Sequence, residues 1–179
     1  MRKLLVTLVS IAALLSGFYL SARYYAEPIP GSQPSSVGSA VGSFRPDFTL
    51  ASSKGEFVSS RDFTGKTVLL NFWATWCEPC RREMPMLMDL QRKHGPTGLQ
   101  VVGIALDNQE SVKSFIGTYG ISYPILVGEA DVFKTSADYG NTEGVLPYSV
   151  LIDSEGIIRW KYAGVIKHDK ITDLLNNLL

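Results

Sequence analysis

The stretch TVLLNFWATWCEPCRREMPMLMDL, residues 67–90, decides the fold of this chain. Its first part, 67–73, is nearly all apolar and rich in β-branched and aromatic side chains, which is typical of a strand buried on both faces. Apolar residues recur at helical spacing after position 80, and Cys77 and Cys80 stand between the two patterns. The stretch therefore predicts a buried strand, a turn that carries both cysteines, and a helix that runs to about Lys93 with a kink at Pro85.

The same alternation of patterns continues on both sides of this unit. A hairpin is predicted over residues 48–58, and the last two strands should form an antiparallel edge. Buried strands alternating with helices imply an α/β fold, with a central sheet covered by helices on both faces. The further strands are predicted at 99–106, 123–127, 148–152 and 157–162, and the further helices at 111–119, 130–139 and 169–179.

The N-terminal part of the chain has a different character. A short basic start precedes residues 4–20, which carry no charge, so residues 1–25 are a cleaved export signal or an uncleaved membrane anchor. The anchor is favoured because no good small-residue cleavage site follows. Residues 26–43 are rich in Pro, Gly and Ser and are predicted to be a flexible linker, which leaves 44–179 as the folded domain. Both interpretations place that domain outside the cytoplasm.

Composition excludes several classes of function. The 179 residues contain 17 Lys+Arg and 17 Asp+Glu, so a balanced charge argues against nucleic-acid binding. The chain has 2 Cys and 2 His, too few for a disulfide-dense scaffold and too scattered for a structural zinc site. The spacing of the two cysteines is therefore the most informative feature.

The position of the cysteine pair predicts redox chemistry. Cys77 should lie at the N-terminus of the helix, where free N–H groups stabilise a thiolate, and is expected to be the exposed nucleophile. Cys80 should be shielded one turn later and act as the resolving thiol. Pro79 suits a first helical turn, and the charge of Glu78 should weaken thiolate stabilisation.

A structural disulfide or half of a metal site is the competing interpretation. A bridge across two intervening residues closes a very small loop and constrains the unfolded chain little. A metal site would need His94 or His168, and neither stands in a ligand pattern. The strand, CxxC and helix together favour thiol–disulfide exchange.

The segment NFWATWCEPCRREMP, residues 71–85, resembles the thioredoxin-like proteins of the TlpA/ResA group. FRPDFTL at 44–50 resembles that group's opening pattern, and LPYSVLID at 146–153 resembles its cis-proline strand. The resemblance spans 44–179 and implies a thioredoxin fold: a mixed β-sheet flanked by helices, with an N-terminal β-hairpin and a central αβ insertion. It also implies a thiol–disulfide oxidoreductase on the outer face of a bacterial inner membrane.

The resemblance carries over to individual residues. Pro147 matches the cis-proline that faces the cysteines, and the backbone of Leu146 would pair with an extended substrate. Glu83 matches an acidic residue near the resolving cysteine and would act as a general base; a solvated helix glutamate is the alternative. Asn71 replaces the aspartate of ordinary thioredoxins and cannot titrate. The residues expected to contact substrate are Trp76, Glu78, Pro79, Leu146 and Pro147.

The leading hypothesis is a membrane-anchored reductase of disulfides in exported proteins, for example in cytochrome c maturation or metal-site assembly. Its partners would be such a substrate, a membrane thiol donor that re-reduces it, and the inner membrane through residues 4–20; a soluble periplasmic form after signal cleavage is the alternative. The redox-active Cys77–Cys80 disulfide would need no cofactor or metal. A thiol oxidase of the same fold, or a Cu(I) metallochaperone that uses the CxxC, remains as an alternative function.

Overall fold

A computed structural model describes residues 38–179 of the chain. The predicted anchor at 4–20 and most of the predicted linker, residues 26–37, lie outside the described residues. Between residues 38 and 179, every helix is too short or too polar to cross a bilayer.

One seven-stranded mixed sheet forms the centre of the domain. Its strands are β1 Thr49–Ser52, β2 Phe57–Ser59, β3 Thr67–Trp73, β4 Leu99–Leu106, β5 Ile125–Gly128, β6 Tyr148–Ile152 and β7 Ile158–Ala163. They are ordered β2-β1-β5-β4-β3-β6-β7. β3, β4 and β5 are parallel, while the β1–β2 hairpin and the β6–β7 pair add antiparallel edges on either side. The predicted hairpin and antiparallel edge are therefore confirmed.

Four α-helices cover the sheet, α1 Glu78–His94, α2 Gln109–Tyr119, α3 Ala130–Asp138 and α4 His168–Asn176. Short 3-10 turns lie at Ser60–Phe63 and Gly95–Thr97. The helices α1, α2 and α4 pack on one face, in a core that contains both cysteines. The opposite face is covered by α3 and by residues of the hairpin. The prediction of helices on both faces is confirmed, and the buried central strand β3 points its carboxyl end at the cysteines.

The observed boundaries differ from the predicted ones where local chemistry decides them. β5 starts at Ile125 rather than at 123, because its ladder with β4 begins at the Gly103–Ile125 pair, after Pro124. α2 starts at Gln109, since the Asn108 side chain accepts the N–H of Ser111 and caps the helix. α1 continues through Pro85 as one helix.

The domain also begins earlier than composition indicates. The N–H of Gly42 donates to the carbonyl of Ile158 at 2.8 Å, and the N–H of Ile158 donates to the carbonyl of Ser43 at 3.0 Å. Gly42 and Ser43, at the end of the predicted linker, are thus hydrogen-bonded to the start of β7.

Candidate active site: a disulfide at the start of a helix

The two cysteines lie where β3 gives way to α1, and they form a disulfide with Cα atoms 5.3 Å apart. Cys77 is the N-cap of α1, and its sulfur accepts the N–H of Cys80 at 3.3 Å. Asp107, the residue after β4, fixes the turn that precedes Cys77. Its carboxylate accepts hydrogen bonds from the N–H of Thr75 at 3.0 Å and from the hydroxyl of Thr75 at 2.5 Å. Sequence reasoning missed Asp107. A carboxylate directly after a buried strand was the available signal.

The exposure of the two sulfurs differs from the prediction. Only 5% of Cys77 is exposed, so the expectation of an exposed nucleophile is wrong, and Cys80 is completely buried. Both cysteines belong to the core that α1 forms with Trp73 and Met84, and this packing closes around the disulfide. The predicted order of access is retained, since Cys77 is the sulfur that a partner reaches first.

Glu83 is a buried carboxylate, not a solvated helix residue. It is 2% exposed and lies on α1 one turn after Cys80. Its Oε1 accepts the side-chain amide of Asn71 at 2.5 Å, and its Oε2 accepts the N–H of Ile166 at 3.0 Å. Burial raises the pKa of the Glu83 carboxyl above its usual range, while the hydrogen bonds from Ile166 and Asn71 act in the opposite direction. A group of this kind can exchange a proton near neutral pH more readily than an ordinary glutamate.

Asn71 is the residue that fixes this carboxylate. Its amide nitrogen also donates to the hydroxyl of Ser149 at 3.0 Å, across the β3–β6 pair. The amide therefore joins the central strand, the next strand and α1 in one buried contact. Sequence reasoning identified Asn71 as non-titratable but missed its partners Ser149 and Ile166. A single amide in an otherwise apolar strand was the signal for a buried polar contact.

The peptide bond between Leu146 and Pro147, directly before β6, is cis, as the resemblance implies. Leu146 is half-buried and packs against the core that contains the disulfide. The carbonyl of Pro147 accepts the N–H of Gly164 at 2.8 Å, which ties this segment to the loop after β7. Since that loop also carries Ile166, Glu83 and Pro147 are both fixed by the same short segment.

The remaining site residues form the outer surface. Trp76 is 69% exposed beside the disulfide, whereas Trp73 is buried and packs its ring 5.2 Å from that of Phe115. Pro79 lies in the first turn of α1, as predicted. Glu78 forms an ion pair with Arg81, and this pairing offsets part of the charge that Glu78 places beside the cysteines.

The alternative of a metal site concerns the same two cysteines. Across residues 38–179, no three His, Cys, Asp or Glu side chains come together as a ligand group. His94 lies at the last position of α1 and His168 at the first position of α4. The arrangement around the disulfide thus offers two sulfurs, one buried carboxylate and an exposed indole, which suit thiol–disulfide exchange with a protein partner.

Comparison with known proteins agrees with this chemistry. The Redoxin family profile matches residues 40–178. The thioredoxin-like protein YneN of Bacillus subtilis is 35% identical over 144 residues, 78% of this chain and 81% of that protein. The thiol-disulfide oxidoreductase ResA of Geobacillus thermodenitrificans is 30% identical over 174 residues, 97% of this chain and 92% of that protein.

Solved structures share the fold. A thiol:disulfide interchange protein of the thioredoxin family from Chlorobium tepidum superposes with a TM-score of 0.68 at 28% identity, over 78% of this chain and 97% of that one. The sheet order, the disulfide at the start of α1 and these relatives agree. The chain belongs to the Redoxin family, as a ResA-like thiol–disulfide oxidoreductase with a thioredoxin-like α/β fold.

Proposed function

We propose that this protein is a membrane-anchored, extracytoplasmic reductase of disulfides in exported proteins. The observation that carries the proposal is the buried Glu83 carboxylate, which lies one helical turn after Cys80 and accepts the N–H of Ile166 from the core that contains the disulfide. A negative charge at this place disfavours thiolates in the reduced protein. A destabilised dithiol gives up its electrons more readily, so the protein acts as a reductant.

The reaction consists of two exchange steps. The Cys77 thiolate attacks one sulfur of the substrate disulfide, and the other substrate sulfur leaves as a thiolate. The Cys80 thiolate then attacks the Cys77 sulfur, which releases the second substrate thiol. Two electrons pass to the substrate, and the Cys77–Cys80 disulfide that remains must be reduced again by a membrane thiol donor.

Glu83 serves as the base for the second step. Cys80 is fully buried, so its thiol needs an acceptor inside the protein before it can attack. Glu83 follows Cys80 by one turn of the same helix, and its raised pKa suits it to take that proton. Asn71 and Ile166 hold the two carboxylate oxygens while the proton is exchanged.

Substrate contacts are assigned to the surface around Cys77. The exposed indole of Trp76 provides an apolar platform beside the sulfur, with Glu78 and Pro79 next to it. Leu146 packs against the core that contains the disulfide, and we assign the backbone at Leu146 and Pro147 to pairing with an extended segment of the substrate. The substrate is thus an exposed or unfolded stretch around an oxidised cysteine pair, as in cytochrome c maturation or metal-site assembly.

The location rests on residues 4–20 as an anchor in the bacterial inner membrane, with the domain on the periplasmic side. Cleavage of this segment would instead release a soluble periplasmic protein. Fractionation of cells that express the full chain tests this point. A chain of full length in the membrane fraction supports the anchor, and a shortened soluble chain contradicts it.

A redox titration tests the direction of the reaction. The full chain is equilibrated in thiol/disulfide buffers, and the fluorescence of Trp73 and Trp76, which flank the site, reports the state of the disulfide. A midpoint near or below about −230 mV supports the reductase. A midpoint near about −120 mV contradicts it and identifies a thiol oxidase.

A further inference from the structure

The edge strand β7 carries a second surface feature that the exchange reaction does not use. Trp160 and Tyr162 lie on the same face of this strand, and their rings stack with centroids 5.6 Å apart and planes 9° from parallel. Trp160 is half-buried against the core below α4, while Tyr162 is 40% exposed. With Lys167 and Lys170 the two rings line an open cleft of about 230 Å³. We call these four residues the aromatic–lysine patch.

The lysines of the patch provide unneutralised positive charge. Both are exposed, and neither forms a salt bridge with any carboxylate of residues 38–179. Asp169 lies between them in sequence, but helical spacing puts it on the other side of the α4 turn. Its side chain is fully exposed and lies beside His168. The cleft is therefore a positively charged aromatic surface.

The patch lies on β7 between the place where the chain enters the domain and the segment at Pro147 that is assigned to substrate. Gly42 and Ser43 are hydrogen-bonded to Ile158 on β7, so the chain enters the domain about 7 Å along the strand from Trp160. At the other end of β7, the N–H of Gly164 donates to Pro147 of the active site. One strand thus connects the N-terminal start of the domain, the patch and the substrate-facing segment.

We propose that the aromatic–lysine patch docks the domain onto a bilayer surface that contains anionic phospholipids. Trp and Tyr concentrate where lipid headgroups meet the acyl chains, because their rings have an apolar body and a polar edge. Lysines near such a surface are attracted to anionic headgroups. The proposal rests on the anchor proposed above, since a tether raises the local concentration of membrane and makes a small patch sufficient. Docking holds the disulfide close to the membrane, where the thiol donor would reach it.

Fluorescence quenching tests the docking. The full chain is reconstituted into phosphatidylcholine vesicles with or without phosphatidylglycerol, and some of the lipids carry bromine near the top of the acyl chain. The chain has three tryptophans, and a Trp160→Phe variant isolates the contribution of Trp160. We expect bromolipids to quench Trp160 in the anionic vesicles and much less in neutral ones. Added salt should reduce the quenching, because the attraction is electrostatic.

Charge variants identify the residues. A Lys167→Gln, Lys170→Gln double variant should lower the docking equilibrium about thirtyfold and remove most of the quenching. A matched double variant, Lys54→Gln and Lys113→Gln, removes the same charge from exposed positions elsewhere and should change nothing. Equal quenching in neutral and anionic vesicles, or equal loss in both double variants, overturns the proposal. Absence of Trp160 quenching overturns it as well and leaves an acidic protein partner as the alternative.

The same samples separate this inference from the proposed function. A chain that does not float with neutral vesicles contradicts the anchor. The docking of such a chain is tested separately, by titrating it with anionic vesicles to a lipid concentration high enough to replace the tether. Exchange with a small soluble disulfide reports the dithiol alone. We expect the Lys167→Gln, Lys170→Gln variant to retain that exchange at the wild-type rate, because neither lysine lies at the disulfide.

Discussion

Replacing Asn71 by alanine removes the amide that fixes the buried Glu83 carboxylate. A hydrogen bond to a charged group contributes about 1.5–3 kcal/mol, and the second bond, to Ser149, contributes about 1 kcal/mol. The Asn71 hydrogen bond lowers the pKa of Glu83, so its loss raises that pKa further. Each unit by which the pKa of Glu83 rises costs about 1.4 kcal/mol of stability once the carboxyl is ionised.

The expected loss of stability therefore depends on pH. Below the pKa of Glu83 the carboxyl is neutral in both proteins, and Asn71→Ala should cost about 1–2 kcal/mol. The cost should grow as the pH rises through the folded-state pKa of the wild type. It should level off above the pKa of the variant, at about 3 kcal/mol. Urea unfolding of the oxidised protein, followed by fluorescence at a series of pH values, measures this difference.

A Ser149→Ala variant is the matched control, because it removes the other partner of the same amide and leaves the Asn71–Glu83 contact in place. Its cost should be about 1 kcal/mol at every pH. If Asn71→Ala loses the same free energy at all pH values, or if Ser149→Ala shows the same pH dependence, the assigned role of Asn71 is refuted.

Three further predictions concern the reaction. Cys80→Ser should trap a mixed disulfide between Cys77 and substrate, visible on non-reducing gels, whereas Cys77→Ser should form none. A mixed disulfide trapped by Cys77→Ser would reverse the assigned roles of the two cysteines. Glu83→Gln should slow exchange about a hundredfold. The wild type should lose stability as pH rises from about 4.5 to the folded-state pKa of Glu83, because over this range the folded protein keeps a proton that the unfolded chain releases. The Glu83→Gln variant should lack this loss. An unchanged rate or an unchanged pH profile would argue against Glu83 as the base. Trp76→Ala should leave the free energy of unfolding within about 0.5 kcal/mol of wild type, since the indole is exposed. The kcat/KM for a protein disulfide should fall about tenfold. An unchanged kcat/KM would show that Trp76 does not belong to the substrate surface.

Local sequence patterns were sufficient for the central elements. The predicted bounds of β3, β4 and β6 coincide with the observed strands, because each is a short, nearly uninterrupted apolar run limited by turn residues. The order of strands and helices was also predicted completely. The start of the domain was harder to predict, since residues 38–43 are mostly Gly, Ser and Ala and carry no periodic apolar pattern. Gly42 and Ser43 are held through backbone hydrogen bonds to β7, which composition does not reveal.

The sequence by itself determined that two cysteines lie at the N-terminus of a helix after a buried strand, because period, capping and spacing are local properties. Only the tertiary structure decided that Glu83 is buried. Its partners Asn71 and Ile166 lie 12 and 83 residues away and meet it only after β3, α1 and the loop after β7 have packed together. The same packing left 5% of Cys77 exposed, and it brought Trp160 and Tyr162 next to the lysines of α4. The environment of a side chain is set by contacts distant in sequence, so the chemistry was predictable from the motif but the electrostatics that tune it were not.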